Sequence, residues 1–414
     1  MFYGTSQPGI DQVSTVKTLH GASQPKKTNM KDETIAIRKH IDRTYQKEHS
    51  NPLYLTSSFV FDSAEEMAAV FADEQEGNIY SRYSNPNVDE LIEKVALLEE
   101  AEGGWATSSG MAAVFTTFAA LLKAGDHIVS SRSVFGSTHR LFTEIFPKWG
   151  ITTTYVDALD YEGYANAMQD NTKILYLETP SNPALEIIDI ERVATICKSK
   201  NVLFAVDNCF ATPVLQKPIT LGADISIHST TKYMDGQGRT LGGLILASNA
   251  LISKIEAFAR HTGPALSPFN AWIISKSIET LSLRVLHMSN GALEIAKRLE
   301  NHPAISFVKY PFLESHPNVD VAKKQMKAGG GIVTFELKGG LDAGRKFLNN
   351  LEIFSLTPNL GDAKSIATHP ASTTHSKLKP EERLAVGISD GLVRLSIGLE
   401  NLEDLWKDIE NALK

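Results

Sequence analysis

The sequence predicts an α/β protein in which a mostly parallel sheet forms the larger domain and a smaller α/β domain follows it. Short apolar segments recur between residues 127 and 246, and helical periodicities such as Ile190 to Lys200 separate several of them. Strands that alternate with helices form βαβ crossovers, and these crossovers produce parallel strand pairs. The 414 residues are enough for two or three domains of about 150 residues each.

Capping residues mark the helices of the first half. Asn85-Pro86 combines an N-cap with a proline in the first turn, and apolar residues recur at helical spacing from Val88 to Leu98. A second helix is predicted from Met111 to Lys123, because Gly125 follows as an end signal. The strands predicted downstream are His127 to Val129, Ile151 to Val156, Ile174 to Leu177, Val202 to Val206, Ile225 to Ile227 and Leu244 to Leu246.

The second half predicts helices first and a smaller domain afterwards. Residues 251–300 have helical periodicity and few strand signals. Ile332 to Leu337 and Val393 to Ile397 are predicted strands, whereas Gly339 to Asn350 and Leu402 to Leu413 are predicted helices. We therefore divide the chain into an N-terminal arm (1–83), a large domain (84–283) and a smaller C-terminal domain (284–414).

Charge and composition exclude several classes of function. Acidic residues outnumber basic ones by 48 to 41, which gives a net charge of −7, and no block of five like charges occurs. Nucleic acid is therefore not predicted as a partner. No stretch of 18 apolar residues occurs without charges, so no membrane span is predicted. Cys197 and Cys209 form no CxxC pair and the chain start lacks a signal-peptide pattern, which together predict a cytoplasmic protein.

The N-terminal arm allows two interpretations. Its first fifty or so residues are polar and have little periodicity. One interpretation is a terminus without fixed structure. The other is an arm that becomes ordered only against a partner subunit.

Polar clusters are predicted at the edge where an open parallel sheet binds ligands, the carboxyl ends of its strands. The first cluster, Thr107 to Met111, precedes a helix, and N–H groups at a helix N-terminus bind anions such as phosphate. The alternative for this cluster is simple N-capping. The second cluster contains Asp207, which ends the apolar segment 203–206. Its carboxylate could hold a ribose, a metal or a protonated ring nitrogen, or could belong to an ordinary turn.

Lys232 defines the third cluster, because it follows the segment Ile225 to Ile227 and has hydroxyl residues beside it. Such a lysine can bind an aldehyde covalently, since burial makes its amine more nucleophilic; a surface lysine is the alternative. Pyridoxal phosphate needs this lysine, an acid at its ring nitrogen and an anion site for its phosphate, and all three occur here in chain order. The fourth cluster contains Arg394, at the start of a predicted strand. It could bind a substrate carboxylate through two hydrogen bonds or form a surface ion pair.

Six motifs give the chain a resemblance to the pyridoxal phosphate-dependent enzymes of cysteine and methionine metabolism. These enzymes have the fold type I, or aspartate aminotransferase-like, architecture, so the resemblance implies a mostly parallel seven-stranded sheet in the larger domain. It covers the chain from about residue 40 onward. The motifs are Tyr80-Ser81-Arg82-Tyr83-Ser84-Asn85-Pro86, Ser109-Gly110-Met111-Ala112-Ala113, Glu178-Thr179-Pro180-Ser181-Asn182-Pro183, Val206-Asp207-Asn208, Ser229-Thr230-Thr231-Lys232-Tyr233 and His369-Pro370-Ala371-Ser372-Thr373-Thr374-His375.

The resemblance implies a role for each site residue. Lys232 would bind the cofactor covalently and move protons, Asp207 would pair with the ring nitrogen, and Phe135 would stack on the ring. Asn182 would bond the phenolic oxygen of the cofactor. Asn359 and Arg394 would bind the substrate, Arg394 through its α-carboxylate. The residues implied to hold the phosphate are Ser109, Gly110, Met111, Ser229 and Thr231, joined by Tyr80 and Arg82 of a neighbouring subunit. The resemblance therefore implies a homo-oligomer, a dimer at minimum and usually a tetramer.

Two positions distinguish branches of the family. Lyases usually have a tyrosine before the glycine where this chain has Phe135-Gly136, which removes the phenolic hydroxyl that could act as a general acid. Lyases usually have a serine where Asn359 precedes Leu360-Gly361, in the loop near the substrate carboxylate. Both choices, with the segments 133–138 and 235–239, resemble O-succinylhomoserine sulfhydrylases. The asparagine also resembles the O-acetyl-specific branch.

The resemblance implies a transferase of methionine biosynthesis that converts O-succinylhomoserine and sulfide to homocysteine and succinate. O-acetylhomoserine sulfhydrylase, cystathionine γ-synthase and methionine γ-lyase activities are the alternatives. A non-catalytic ligand sensor is disfavoured, because both Lys232 and Arg394 are present. No metal site is predicted, since His369 and His375 are six residues apart, which is not a helical metal spacing. Cys209 is interpreted as a small buried residue rather than a nucleophile.

Overall fold

The computed structural model describes residues 30–373, 376, 379–385 and 387–414, and it confirms the predicted α/β class. Residues 1–29 of the predicted arm lie outside the described residues, as do Thr374 and His375 of the last motif. The helices are α1 (Asp32–Arg38), α2 (Ala64–Phe71), α3 (Pro86–Glu99), α4 (Gly110–Leu121), α5 (Gly136–Arg140), α6 (Tyr161–Ala167), α7 (Ile190–Lys200), α8 (Thr212–Leu215), α9 (Asn249–Thr262), α10 (Pro268–Ile278), α11 (Leu281–Glu300), α12 (Val319–Gln325), α13 (Gly340–Asn350), α14 (Pro380–Ala385) and α15 (Leu402–Ala412).

Seven strands form the larger sheet: β1 (Gly103–Thr107), β2 (His127–Ser131), β3 (Thr152–Val156), β4 (Thr172–Glu178), β5 (Leu203–Asp207), β6 (Ile225–Ser229) and β7 (Gly243–Ala247). Their order across the sheet is β1-β7-β6-β5-β4-β2-β3. Strand β7 is antiparallel to β1 and β6, and the remaining neighbours are parallel. The mostly parallel seven-stranded sheet is therefore confirmed. Its central strands β4, β5 and β6 end side by side, which brings their last residues to one edge.

Strand β1 is a part of this sheet that the sequence analysis does not predict. Gly103 and Gly104 supply no apolar side chains to reveal it. The structure explains the second glycine, since a Cβ there would lie 2.7 Å from Cδ2 of Leu246 and 3.0 Å from the carbonyl oxygen of Ile245 on β7. Close packing against β7 thus requires a residue that is otherwise rare within strands.

Five strands form a smaller second sheet: β8 (Ile305–Lys309), β9 (Ile332–Leu337), β10 (Ser355–Leu356), β11 (Ile366–Thr368) and β12 (Leu392–Ser396). Their order is β10-β11-β12-β9-β8, and β12 is antiparallel to both β9 and β11. Strands β9 and β12 match the predicted ones. Strands β8, β10 and β11 are missing from the prediction. Strands β10 and β11 have only two and three residues, and β8 has two consecutive exposed residues, so each carries a weak apolar signal.

Helix α11 connects the cores of the two sheets. Leu281, Val285 and Met288 of its first half pack in the apolar core that also contains side chains of α3 and β7. Ile295 and Leu299 of its second half pack in the core of the smaller sheet. The predicted helical region 251–300 is thus three helices, and the third spans the predicted domain boundary without a break.

Two helices show how closely local signals fix the fold near the site. Helix α3 begins at Pro86, and its N-cap Asn85 accepts a hydrogen bond from the N–H of Asn87 at 3.0 Å. Helix α4 begins at Gly110, and its N-cap Ser109 accepts one from the N–H of Ala112 at 3.1 Å. Within the described part of the chain, no helix combines the length and the apolar character that crossing a bilayer requires.

Candidate active site

A cavity of about 1030 Å³ opens where the central strands of the larger sheet end and the smaller sheet approaches them. Residues from both sheets and from the loop around Phe135 line it. Ten of the thirteen predicted site residues lie on its wall: Ser109, Gly110, Met111, Phe135, Asn182, Asp207, Ser229, Thr231, Lys232 and Arg394.

One wall of the cavity is suited to an anion. The N-terminus of α4 meets the end of β6 there, and a Cβ at Gly110 would lie only 2.6 Å from the Cβ of Ser229. Glycine therefore allows the free N–H groups of the helix to lie beside the hydroxyl of Ser229. The hydroxyl of Thr231 accepts a hydrogen bond from the N–H of Gly242 at 3.1 Å. Helix N–H groups and hydroxyls together fit a phosphate.

Two carboxyl groups end adjacent strands at the base of the cavity. Glu178 on β4 is the register partner of Asp207 on β5. Asp207 accepts hydrogen bonds from the N–H of Cys209 at 3.0 Å and from the hydroxyl of Tyr176 at 3.2 Å. Glu178 accepts one from the N–H of Phe135 at 2.9 Å. The site thus places a hydrogen-bonded carboxylate on the cavity wall, where it fits a protonated ring nitrogen.

Burial acts on the proton affinity of both acids. It raises the pKa of Asp207, while the Cys209 N–H and the charge of His228 oppose that rise. Burial, and then the charge of Asp207, raises the pKa of Glu178 well above its usual range. Two adjacent buried carboxyls do not both ionise readily. We therefore expect Glu178 to hold a proton and Asp207 to carry the charge.

Lys232 projects into the cavity from the loop after β6. Its Nζ donates a hydrogen bond to Oδ1 of Asn359 at 2.7 Å. Burial lowers the pKa of the Lys232 amine, and the nearby charge of Arg394 lowers it further. An amine of lowered pKa is more often neutral, which is the form that attacks a carbonyl carbon.

Arg394 lies in the middle of β12, not at the start of a strand as the sequence suggests, because the strand begins at Leu392. Its Nη1 donates to Oδ1 of Asn182 at 2.9 Å, and its Nη2 donates to the carbonyl of Asn359 at 3.0 Å. Burial lowers the pKa of Arg394 to about 10. Its buried Nε has no hydrogen-bond partner among the described residues. A buried guanidinium with an unsatisfied donor fits a small carboxylate.

Tyr80 and Arg82 do not line this cavity. The guanidinium of Arg82 lies 5.4 Å from the ring centroid of Tyr80 and 4.6 Å from that of Tyr83, and it also donates to the carbonyl of Arg260. Tyr80 is partly exposed. Their role in the site of a neighbouring subunit stays a prediction.

The sequence analysis gives Glu178 no role, although the residue belongs to one of the six motifs. An acid that ends an apolar strand is the same signal that identifies Asp207, so this signal could have identified Glu178 too. Cys209 lines the cavity, and burial raises the pKa of its thiol, which agrees with its interpretation as unreactive. The described residues contain no group of three or more His, Cys, Asp or Glu placed to hold a metal ion.

Comparison with known proteins extends over almost the whole chain. Residues 33–414 match the family model described as Cys/Met metabolism PLP-dependent enzyme. An O-succinylhomoserine sulfhydrylase of Pseudomonas aeruginosa is 45% identical over 92% of this chain and 94% of its own length. An L-methionine gamma-lyase of Fusobacterium nucleatum is also 45% identical, over 88% of this chain and 93% of its own.

Two solved structures share the fold. MetB of Corynebacterium glutamicum superposes with a TM-score of 0.88 at 36% identity, over 94% of this chain and 99% of its own. A protein assigned as an O-acetylhomoserine (thiol)-lyase (metY) of Campylobacter jejuni has a TM-score of 0.89 at 33% identity, over 93% and 100%. That structure carries a lysine joined to the pyridoxyl phosphate group. The fold type I architecture is thereby confirmed, and the chain belongs to the Cys/Met metabolism PLP-dependent enzyme family, with pyridoxal 5'-phosphate as its cofactor.

Proposed function

We propose that the chain catalyses a γ-replacement in which O-succinylhomoserine and sulfide give homocysteine and succinate. The Cγ–O bond of the substrate breaks, succinate leaves with the electron pair, and sulfur forms the new bond to Cγ. Sulfhydrylases with this name are 44–45% identical to the chain. The observation that carries the proposal is the meeting of Lys232, Asp207 and Arg394 in one cavity.

The bound cofactor would supply an electron sink for the charge that develops at the substrate's Cα and Cβ. Lys232 would carry the cofactor in the resting enzyme and then move protons at those carbons. Its lowered pKa leaves part of the amine neutral and able to accept a proton. The carboxylate of Asp207 would hold the ring nitrogen in its protonated form.

Substrate orientation would depend on Arg394. Its guanidinium is fixed by Asn182 and by the carbonyl of Asn359, so it presents a constant direction to the α-carboxylate. A carboxylate held in one place keeps Cα and Cβ within reach of the same lysine, which reduces the entropic cost of each proton transfer. The half-exposed ring of Phe135 offers an apolar face to the cofactor ring and no hydroxyl for acid catalysis.

Two arginines on the cavity wall favour the succinyl ester as substrate. Arg132 and Arg140 both line the cavity. Arg132 also forms an exposed ion pair with Asp157 at 3.0 Å. The succinyl group differs from acetyl in carrying a second carboxylate, and positive charge attracts that group. An acetyl ester would gain nothing from these side chains.

Steady-state rates test the choice of substrate. Purified enzyme would be offered O-succinylhomoserine or O-acetylhomoserine, each with sulfide or with cysteine, and methionine alone. We expect the highest kcat/KM for O-succinylhomoserine with sulfide. Faster cleavage of methionine alone would favour γ-elimination, the second candidate, which the Fusobacterium relative supports. A preference for cysteine would indicate cystathionine synthesis.

Substitution of the lysine tests the chemistry independently of the substrate. Lys232→Ala should abolish turnover, because the amine that carries the cofactor and moves protons is removed. Lys364→Ala, an exposed lysine near Asn359, should keep wild-type activity. Full activity of Lys232→Ala would refute the assignment.

We also infer a homo-oligomer, at least a dimer and in the usual case a tetramer, in which Tyr80 and Arg82 complete a neighbouring site. Neither residue lines the cavity of its own chain, and this supports the inference. Mixing inactive Arg82→Ala and inactive Lys232→Ala subunits should restore activity, since a mixed dimer contains one intact site. Mixtures that exchange subunits but stay inactive would contradict it. In this proposal residues 1–83 contact the neighbour, 84–283 hold the cofactor, 284–414 bind the substrate carboxylate, and the enzyme acts in the cytoplasm.

A further inference from the structure

A buried polar cluster lies on the opposite face of the larger sheet from Asp207. Oε1 of Glu99, the last residue of α3, lies 2.5 Å from Nε2 of His228 on β6. The same oxygen accepts hydrogen bonds from Oγ of Ser226 at 2.9 Å and from Nδ2 of Asn208 at 3.0 Å. All four side chains are at most 1% exposed. None of them lines the cavity, so the proposed chemistry gives this cluster no role.

Strand geometry places the cluster directly behind Asp207. Side chains alternate between the two faces of a strand, so Asp207 and the following Asn208 point in opposite directions. Asp207 is the register partner of Ile227, the residue before His228. Asn208 donates its backbone N–H to the carbonyl of Ile227 at 2.9 Å and its side-chain N–H to Glu99. The cluster therefore includes the residue that follows Asp207 and is bonded to the neighbouring strand β6 beside it.

The cluster joins a buried acid to a buried base. Three polar groups converge on Oε1 of Glu99, whereas its buried Oε2 has no hydrogen-bond partner among the described residues. A buried carboxylate needs a cation, and among the described residues that contact Glu99 the imidazole of His228 is the basic group. The other ionisable groups around Asp207 are Glu178 and Tyr176 from β4 and the thiol of Cys209. None of those three is a cation.

We propose that Glu99 and His228 are positioning residues that keep Asp207 ionised, so that its carboxylate faces a protonated ring nitrogen of the cofactor. This inference rests on the proposed role of Asp207. Burial favours the protonated form of Asp207, and the charge of His228 across the sheet opposes this effect. Glu99 in turn holds the imidazole of His228 in place through the 2.5 Å contact between Oε1 and Nε2. Loss of either side chain weakens this opposition, and Asp207 takes up a proton.

The test uses the holoenzyme reconstituted with pyridoxal phosphate that carries 15N at the ring nitrogen. Its 15N chemical shift reports the protonation of that nitrogen directly. We expect Glu99→Gln and His228→Gln to move the shift toward the unprotonated value and to raise the cofactor Kd about tenfold, the ratio that corresponds to one pKa unit. Ser226→Ala is the matched control, because it removes a donor to Glu99 and leaves both charges. Its shift should equal that of the wild type.

Several outcomes would overturn the inference. One is a wild-type 15N shift in both Glu99→Gln and His228→Gln when their circular dichroism shows a native fold. Another is a Ser226→Ala shift as large as theirs, since the effect would then come from lost packing. If Glu99→Gln does not fold, His228→Gln alone decides. Asp207→Asn separates the two proposals. If the 15N shift changes in Asp207→Asn but not in Glu99→Gln or His228→Gln, only this inference is wrong. If the 15N shift does not change in Asp207→Asn, the proposed role of Asp207 is wrong.

Discussion

Replacing Gly110 with alanine should separate the N-terminus of α4 from β6 and weaken the binding of the cofactor phosphate. A Cβ at this position would lie 2.6 Å from Cβ, 2.9 Å from Oγ and 3.0 Å from Cα of Ser229. Oγ of Ser229 can rotate away, but its Cα and Cβ cannot, because their positions are fixed by the backbone. The helix or the strand must move instead. Overpacking of this kind costs about 1–3 kcal/mol.

That cost can be expressed as a change in cofactor affinity. If it falls entirely on the bound state, the Kd of pyridoxal phosphate rises by about 5-fold to about 150-fold, since about 1.4 kcal/mol corresponds to a factor of ten. Titration of the apoenzyme with cofactor, followed by fluorescence, measures this Kd. The Tm of the apoenzyme is recorded in parallel, because any part of the cost that falls on the fold lowers it.

Gly136→Ala is the control for this substitution. Gly136 also lines the cavity and begins a helix, but a Cβ there would have no atom within 4 Å. Its Kd should equal the wild-type value, and its Tm should be unchanged or slightly higher, because alanine favours a helix over glycine. If Gly110→Ala behaves in the same way in both measurements, the close approach of α4 and β6 is refuted.

Three further predictions concern charge. Lys94→Met removes the cation that lies 3.2 Å from the buried carboxylate of Glu90. It should lower the free energy of unfolding, measured by urea denaturation, by about 3–5 kcal/mol. Adding Glu90→Gln to this variant should restore part of the lost stability. Burial and two nearby carboxylates raise the pKa of Asp89 from 3.8 to about 7, so the folded chain holds a proton there that the unfolded chain has lost, and stability falls as pH rises through this interval. Asp89→Asn should therefore raise Tm more at pH 8 than at pH 5, and an equal rise at both would contradict this. Arg394→Lys should raise KM for the amino-acid substrate about 10-fold to 100-fold with a smaller change in kcat, because lysine lacks the planar pair of donors.

Local signals account for the parts of the fold that the sequence predicts. Helix α7 has its predicted bounds, and α3 begins at Pro86, directly after its predicted N-cap Asn85. Strand β1 has no comparable signal, since its glycines are explained only by contact with β7, about 140 residues later. Strand β8 has two consecutive exposed residues, Ser306 and Phe307, at the edge of its sheet. Such elements depend on their neighbours, which a single window of sequence does not contain.

The site also contains residues that local sequence signals identify and residues that depend on distant contacts. Asp207 and Lys232 are identifiable because each follows an apolar strand, and parallel strands bring their ends to one edge. The contact between Glu99 and His228 spans 129 residues and joins a helix end to a strand face, so neither residue carries a local sign of its partner. Tyr80 and Arg82 lie outside the cavity of their own chain, although their motif predicts a role in the site.

The choice of asparagine at the contact with Lys232 has an electrostatic consequence. An aspartate in place of Asn359 would also accept the hydrogen bond from Nζ, but its charge would stabilise the ammonium form and raise the pKa of Lys232. The amide oxygen orients the amine at 2.7 Å without adding charge. Burial and the Arg394 charge can therefore keep the pKa low. Asn182 acts similarly on Arg394, because it fixes the guanidinium and leaves its positive charge for a carboxylate. Neutral hydrogen-bond acceptors thus position the Lys232 amine and the Arg394 guanidinium without adding a charge beside either.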